Sequence, residues 1–265
     1  MTTTFTAAHR GGSGPPLVLL HGFTDTWRTW DLVLPRLERH HDVLAPTLPG
    51  HAGGPPLPPE VTGEVLPDAV EAAMDAAGFG TAHIAGNSLG GYVALQLAAR
   101  GRARSVTAFA PAGGWMPEEA WARQMLDGFT AFQAQARAAA PHAAAITATP
   151  EGRRQATRSI VVDPRHMPAE LIAHQMLGVG LCAVGPMIEY ALREGYRLDA
   201  GAIACPVRIV WGTRDALLPW PAAAVRYRTL MLPTADWVEL EDVGHCPQLD
   251  VPLEAAELIL GLTGA

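Results

Sequence analysis

The sequence predicts an α/β fold in which helices cover both faces of a mostly parallel β-sheet. Short apolar runs alternate with amphipathic segments along most of the 265 residues, and this alternation is typical of parallel strands joined by helical crossovers. The hydrophobic content of 49% is sufficient for a sheet that is buried on both sides. A chain of this length is expected to form one large domain with an insertion.

Individual elements follow from the period of the apolar residues, which is near 2 in strands and 3.6 in helices. The strands are predicted at residues 3–9, 17–20, 42–46, 82–86, 104–110, 206–211 and 236–241. The helices are predicted near residues 28–39, 66–77, 89–100, 221–231 and 253–262. The glycine-rich stretch 11–15 lacks the lysine of a phosphate-binding loop, so we expect it to be the turn between the first two strands.

One long interval interrupts the alternation. From about Gly113 to Asp199 the sequence offers helical segments and no strand of core quality. We interpret residues 113–199 as a helical lid, or cap, over the end of the sheet where the loops after the strands converge. The core is then formed by residues 1–112 and 200–265. The alternative is ordinary helical elaboration elsewhere on the surface.

A candidate nucleophile lies between a predicted strand and a predicted helix. The stretch 86–91 reads Gly-Asn-Ser-Leu-Gly-Gly, which places Ser88 on a sharp turn with glycine on both sides. A Cβ at either flank would collide as the backbone reverses. Such a turn exposes the Ser88 hydroxyl and directs the first amides of the helix at an anion formed beside it.

A carboxylate and an imidazole follow later strands. Asp215 comes just after the apolar run 205–211, and His245 follows the predicted strand 236–241. A serine hydroxyl needs an imidazole to accept its proton, and a carboxylate fixes the imidazole tautomer. Asp242 is the rival acid, but its position three residues before His245 makes Asp215 the better candidate.

The order Ser88, Asp215, His245, with the acid and the base each after a late strand, resembles the α/β-hydrolase family. The resemblance covers nearly the whole chain and implies a serine esterase or lipase-like enzyme. It also implies an oxyanion hole formed by two backbone N–H groups. One belongs to Phe23, which follows the His21–Gly22 pair after an apolar strand, and the other to Leu89. His21 is expected to be structural.

The resulting hypothesis is a carboxylesterase-type serine hydrolase that acts through an acyl-enzyme on a small to medium, fairly hydrophobic ester. Ser88 attacks the ester carbonyl, His245 moves the proton and Asp215 orients His245. Apolar side chains of the predicted lid are candidates for the substrate pocket, namely Trp115, Trp121 and Met125.

Other activities of the same family remain alternatives. Carbon–carbon bond hydrolases often carry the Gly-Asn-Ser-x-Gly-Gly turn, although Cys246 stands where many of them have tryptophan after the histidine. A synthase that eliminates a carboxylate-bearing group, or a receptor that keeps the triad without turnover, would share these residues. Dehalogenases and epoxide hydrolases are disfavoured because family members with those activities usually carry aspartate at the position of Ser88.

Charge and cysteine content narrow the partners to a small-molecule substrate. A net charge of −7 argues against a nucleic-acid partner, which requires clustered Lys and Arg. Cys182, Cys205 and Cys246 have no metal-ligand spacing and are expected to be free thiols, so we expect neither a metal nor another cofactor.

No apolar run is long enough to span a membrane and no signal peptide is recognisable, so we expect a cytoplasmic enzyme. The sequence leaves the oligomeric state open.

Overall fold

A single sheet of seven strands forms the centre of the part of the chain that the computed structural model describes, residues 4–116 and 118–265. Its strands are β1 (Ala8–Gly12), β2 (Pro16–Leu20), β3 (Asp42–Pro46), β4 (Ala82–Asn87), β5 (Ala103–Phe109), β6 (Val207–Gly212) and β7 (Asp236–Leu240). Their spatial order is β1-β3-β2-β4-β5-β6-β7, and β1 pairs antiparallel with β3 while the other pairs are parallel. The predicted mostly parallel α/β sheet is confirmed.

Helices flank this sheet and fill the interval between β5 and β6. They are α1 (Leu34–Leu37), α2 (Val65–Ala76), α3 (Leu89–Ala99), α4 (Ala120–Ala139), α5 (Ala143–Ala148), α6 (Pro150–Thr157), α7 (Ala169–Leu181), α8 (Val184–Glu194), α9 (Pro247–Asp250) and α10 (Pro252–Thr263). Short 3₁₀ turns occupy Trp27–Trp30, Ala140–His142, Pro164–His166, Ala200–Ala202 and Ala222–Ala224.

The sheet is buried on both faces because apolar residues dominate its central strands, as β2 (Pro-Leu-Val-Leu-Leu) illustrates. Side chains alternate along a strand, so Val18 and Leu20 face one hydrophobic cluster while Leu17 and Leu19 face another. All four are fully buried. The first cluster includes α2 and α3, and the second includes α10. Parallel sheets require this two-sided cover.

The edge strand and two helices differ from the prediction. The strand expected at 3–9 is Ala8–Gly12, because its register is set by pairing with β3 rather than by its own residues; residues 1–3 lie outside the described part. Gly11 and Gly12 therefore belong to this strand and not to the turn. The helix expected at 28–39 is a 3₁₀ turn followed by the single-turn α1. Pro35 lacks the amide hydrogen and cannot lie inside a longer helix.

The helix expected at 221–231 is a 3₁₀ turn followed by a π-helical turn, Tyr227–Met231. Two hydrogen-bond donors of this segment bind carbonyl groups in the loop after β5, which follows Phe109. The Arg226 N–H donates to Gly114 O at 2.7 Å, and the Tyr227 hydroxyl donates to Ala112 O at 2.7 Å. The sequence pattern could not reveal these acceptors.

Helices α4 to α8 all lie between β5 and β6, the interval that we predicted to be helical. Within residues 4–116 and 118–265, no single helix is both long and apolar enough to span a membrane. Helices α7 and α8 would reach the required length and hydropathy only together, and the chain bends by 70° between them.

Candidate active site

Ser88 lies in the turn between β4 and α3. Its φ of 54° and ψ of −115° form a combination that residues with a Cβ rarely adopt. A Cβ on Gly86 would lie 2.2 Å from Gly90 O, and a Cβ on Gly90 would lie 2.2 Å from Leu20 O. Neither flanking position can therefore hold a larger residue. Strained backbone of this kind is common at functional sites.

Asp215 and His245 form a buried hydrogen-bonded pair. His245 Nδ1 lies 2.7 Å from Asp215 Oδ2, and the two side chains are 3% and 0% exposed respectively. Asp215 follows β6 and His245 follows β7, so both lie at the carboxyl edge of the sheet with Ser88. The backbone N–H groups of Leu217 and Leu218 donate to Asp215 Oδ1 at 2.9 and 2.7 Å. The carboxylate is thereby held in one orientation.

The rival acid, Asp242, occupies a different environment. Its exposed side chain contacts Arg214 at 3.2 Å, and both side chains are well solvated. An exposed pair of this kind contributes little to stability. The geometry therefore brings Asp215, and not Asp242, to the imidazole of His245.

Ser88 and His245 both line one large cavity. Among the described residues, no hydrogen bond joins the Ser88 hydroxyl to the imidazole of His245. Bonds between a nucleophile and its base are often long in free enzymes and shorten when substrate binds. The arrangement brings the candidate nucleophile and base to the same cavity wall.

The two candidate oxyanion donors lie on either side of Ser88. A Cβ on Gly22 would lie 3.4 Å from Ser88 Cβ, so the turn that carries Phe23 packs directly against Ser88. Leu89 is the first residue of α3, where the helix leaves backbone N–H groups without an internal acceptor. The positive end of the helix dipole adds to the attraction for an anion.

His21 holds this turn in place. The Leu48 N–H donates to His21 Nε2 at 2.9 Å, so His21 Nδ1 carries the hydrogen and donates to Gly22 O at 2.8 Å. Burial, reinforced by the nearby His51, lowers the pKa of His21 well below its usual value. Burial also lowers the pKa of His51 to about 4. The His21 ring therefore connects the turn before Phe23 to the loop that follows β3. His51 lies within that loop.

Asn87 connects the turn of Ser88 to the histidine loop, the segment 241–246 that carries His245. Its Nδ2 donates to His245 O at 3.0 Å and to Phe109 O at 3.2 Å. Its Oδ1 accepts from Cys246 Sγ at 3.3 Å and from Gln248 Nε2 at 3.2 Å. In the sequence, Asn87 stands out only as part of the Gly-Asn-Ser-x-Gly-Gly turn of related enzymes, because nothing in the sequence reveals a contact with residues so far along the chain.

Asp250 is a second connector, and no motif in the sequence indicates its role. Its Oδ2 accepts from the Gly244 and Val162 N–H groups at 2.7 and 2.9 Å, and its Oδ1 accepts from the Asp163 N–H at 3.0 Å. One carboxylate thus joins the loop before His245 to the segment between α6 and α7. The histidine loop and the helical insertion are therefore held together.

Two cavities meet at Ser88. The smaller, of about 80 Å³, is predominantly apolar, and the larger is about 480 Å³. The larger cavity is built from the core and from α4 to α7. The side chains common to both cavities are Phe23, Ser88, Met125, Phe129 and Leu217.

The three candidate pocket residues occupy different positions. Met125 lines both cavities and Trp115 lines the smaller one. Trp121 is absent from the described lining of either cavity. It packs edge to face on Trp115, with ring centroids 5.7 Å apart. Trp121 thus contacts the candidate pocket through Trp115.

The cysteines are free, and Cys246 lies beside the site. Burial, followed by the charges of Asp25, Asp215 and Asp250, raises the pKa of the Cys246 thiol well above its usual value. A thiol in this state is a weak nucleophile. Among the residues described, no group of three or more His, Cys, Asp or Glu side chains could hold a metal ion.

A model of the Alpha/beta hydrolase family matches residues 17–258, and the chain belongs to this family. Epoxide hydrolase EphH of Mycobacterium tuberculosis is 36% identical over 214 residues, which are 74% of this chain and 92% of that protein. Pimeloyl-(acyl-carrier protein) methyl ester esterase of Aromatoleum aromaticum is 32% identical over 260 residues, with 92% and 96% coverage. The predicted family and the prediction of a hydrolase are confirmed.

Solved structures share the fold. The 2-hydroxy-6-oxo-6-phenylhexa-2,4-dienoate hydrolase of Rhodococcus sp. strain RHA1 aligns with a TM-score of 0.76 at 23% identity. The alignment covers 97% of this chain and 94% of that chain. At this level of identity the likeness concerns the fold alone.

Proposed function

We propose that the protein hydrolyses carboxylic esters through a covalent acyl-enzyme on Ser88, with His245 as the base and Asp215 as the residue that orients it. One observation carries this proposal. His245, hydrogen-bonded to Asp215, lies at the same edge of the sheet as the strained turn of Ser88, and His245 and Ser88 line the same cavity. An imidazole held in this way is prepared to accept the serine proton.

In the first half-reaction, Ser88 Oγ attacks the ester carbonyl carbon while His245 Nε2 accepts the hydroxyl proton. The N–H groups of Phe23 and Leu89 donate to the negative oxygen that forms. Each such donor contributes roughly 3–4 kcal/mol to the transition state. Asp215 stabilises the imidazolium without taking its proton.

The tetrahedral intermediate then collapses. The bond to the alcohol oxygen breaks, and His245 Nε2 returns its proton to the leaving alcohol. In the second half-reaction, water gives a proton to His245 and attacks the acyl carbon. The carboxylic acid departs and Ser88 Oγ is reprotonated.

The substrate is proposed to be a small to medium, fairly hydrophobic ester, because apolar side chains dominate the smaller cavity beside Ser88. Residues 113–199 act as a lid, and residues 1–112 and 200–265 form the hydrolase core. The larger cavity supports this division, since α4 to α7 form one of its walls. The free state of all three cysteines agrees with a reducing, cytoplasmic location.

Ester hydrolysis is preferred to epoxide opening on chemical grounds. Attack of a serine hydroxyl on an epoxide carbon would leave an alkyl ether, which water does not cleave readily. Attack on an ester carbonyl leaves an acyl ester, which water hydrolyses through the same oxyanion hole. The epoxide activity named for EphH is therefore not carried over to this chain.

The test is a turnover screen with p-nitrophenyl esters from acetate to octanoate, beside vinylogous diketones. We expect ester turnover, and Ser88→Ala should lower kcat by roughly 10⁴–10⁶. A fluorophosphonate should label Ser88, as observed by mass spectrometry of the intact protein and its peptides. Ser159→Ala is a matched control, because Ser159 lines the same cavity.

The outcomes separate the alternatives. Preferential diketone cleavage would establish a carbon–carbon bond hydrolase instead. Ligand binding without turnover of either class would favour a receptor or a synthase. Labelling of Ser159, with full activity in the alanine variant of Ser88, would reject the assignment of the nucleophile.

A further inference from the structure

The larger cavity contains a carboxyl group for which the proposed mechanism has no use. Asp25 lines this cavity together with Ser88 and His245. It follows the turn of Gly22 and Phe23, so its backbone position is tied to the candidate oxyanion hole. The side chain is half-buried.

Two donors fix the orientation of this carboxyl group. The Thr26 N–H donates to Asp25 Oδ1 at 2.8 Å, and Gln175 Nε2 donates to Asp25 Oδ2 at 3.0 Å. A carboxylate has about four acceptor positions, so part of its capacity remains free. Gln175 belongs to α7, and Asp25 therefore connects the core to the helical insertion.

No cation within the described residues forms an ion pair with Asp25. Burial raises the pKa of Asp25 to about 6, partly opposed by the hydrogen bonds from Thr26, Gln175 and the Thr29 side chain, and Asp31 adds a small repulsion. At neutral pH the group is thus an ionised carboxylate without a counter-charge. Among the described lining residues, the other charged side chain is that of Arg158, which is exposed and screened by solvent.

Gln175 has an unsatisfied polar atom of its own. The side chain is 7% exposed, it contributes to the cavity lining, and its Oε1 has no hydrogen-bond partner. Buried acceptors without partners are rare in folded proteins. This Oε1 is itself buried, and the Asp25 carboxylate is the acceptor group on the cavity lining that favours a ligand able to donate hydrogen bonds.

The position of His245 indicates which part of the substrate meets this wall. His245 must return a proton to the leaving alcohol, and within the described lining it borders the larger cavity and not the smaller one. The alcohol portion of an ester therefore lies in the larger cavity, on the side of Asp25. The acyl portion is left to the smaller, apolar cavity.

Resting on the proposed esterase activity, we propose that Asp25, oriented by Gln175, forms a subsite for a hydrogen-bond donor on the alcohol portion of the substrate. The donor is a hydroxyl or a protonated amine. Either group satisfies a free position on the carboxylate, and a protonated amine also supplies the missing counter-charge. Asp25 is then a specificity-determining residue for the ester that the enzyme hydrolyses.

The test compares three hexanoate esters in which the methyl, hydroxyl or ammonium group lies at the same position along the alcohol chain, measured by titration of released acid at about pH 7.5. They are the pentyl, the 4-hydroxybutyl and the 4-(dimethylamino)butyl ester, which end in a methyl, a hydroxyl and an ammonium group. We expect kcat/KM to be about 10- to 100-fold higher for the donor-bearing esters than for the pentyl ester. A larger gain for the ammonium ester than for the hydroxyl ester identifies charge pairing.

Substitutions identify the residue responsible. Asp25→Asn should remove the additional preference for the ammonium ester, and Asp25→Leu should abolish the preference for both donors. Asp31→Asn is the matched control, since Asp31 lies nearby but pairs with Arg28 and is outside the described cavity lining. It should keep the wild-type ratios. Should Asp25→Leu fail to fold, the ratio of the ammonium to the pentyl ester in Asp25→Asn decides the question.

Equal kcat/KM for the three esters in the wild type, or unchanged ratios in Asp25→Asn, would overturn the subsite while leaving the esterase proposal intact. If no ester is hydrolysed, the proposed function fails, and calorimetry of the three esters with the Ser88→Ala variant tests the subsite separately. Binding that favours the donor-bearing esters, and loses this preference with the additional Asp25→Asn substitution, supports the subsite. Equal binding of the three esters refutes it.

Discussion

Replacing Asp215 by asparagine should abolish most activity without changing the fold. Asp215 Oδ1 accepts from the N–H groups of Leu217 and Leu218. In Asp215→Asn, these two donors should hold the amide oxygen in the same place. The amide NH₂ group must then face His245 Nδ1, which becomes an acceptor. The imidazole hydrogen moves to Nε2, and His245 can no longer accept the proton of Ser88.

The expected loss is roughly 10⁴ in kcat, the magnitude associated with the wrong tautomer in Ser-His-Asp enzymes. This corresponds to about 5 kcal/mol of transition-state stabilisation. The folded structure should lose less, because asparagine keeps the volume and the hydrogen bonds from Leu217 and Leu218. Hydrolysis of p-nitrophenyl butyrate and thermal melting by circular dichroism measure the two effects separately.

Asp242→Asn is the matched control. Asp242 is exposed and pairs only with Arg214 among the described residues, so we expect its kcat to stay within a fewfold of the wild type. An active Asp215→Asn enzyme, or an inactive but folded Asp242→Asn enzyme, would refute the reasoning.

Three further predictions concern the pocket, the histidine loop and the pH dependence of stability. Met125→Ala should change the relative kcat/KM of short and long acyl chains by about tenfold, since each methylene contact contributes about 1 kcal/mol; a profile of unchanged shape would contradict the pocket assignment. Asn87→Ala should lower the free energy of unfolding by about 2–4 kcal/mol in urea titrations, because several buried partners lose their hydrogen bonds. Asn87→Asp should not restore it, since a carboxylate cannot donate to two carbonyls. Burial lowers the pKa of His51 and His174 to about 4, so each should remove up to about 3 kcal/mol of stability as the pH falls from about 6.5 through 4. The raised pKa of Asp25 has the opposite effect: protonation of Asp25 increases stability as the pH falls through this range. A free energy of unfolding that increases steadily as the pH falls would contradict the predicted dominance of the two histidines.

The sequence predicted most of the sheet and much of the candidate site. The apolar runs located the central strands to within one or two residues, because strands buried on both faces are nearly continuous apolar runs. The glycines around Ser88 predicted its turn, since their spacing reflects local steric limits. Asp215 and His245 remain predicted catalytic residues, and their 2.7 Å contact agrees with the roles assigned to them.

The predicted and observed elements differ where a segment forms hydrogen bonds with residues far away in the sequence. The edge strand moved to Ala8–Gly12 because β3 sets its register. The helix expected at 221–231 was replaced by shorter turns, because Arg226 and Tyr227 donate to the loop after β5. No periodicity within these segments contains that information.

By itself, the sequence determined the α/β alternation, the turn of Ser88 and the order of the candidate residues Ser88, Asp215 and His245, because strand burial and turn sterics involve neighbouring residues. Only the tertiary structure decided which groups meet. Asn87 reaches the carbonyl of His245 across 158 positions, and Gln175 reaches Asp25 across 150. Such contacts depend on how the crossovers and the helical insertion pack against the sheet, and the packing is a property of the whole chain.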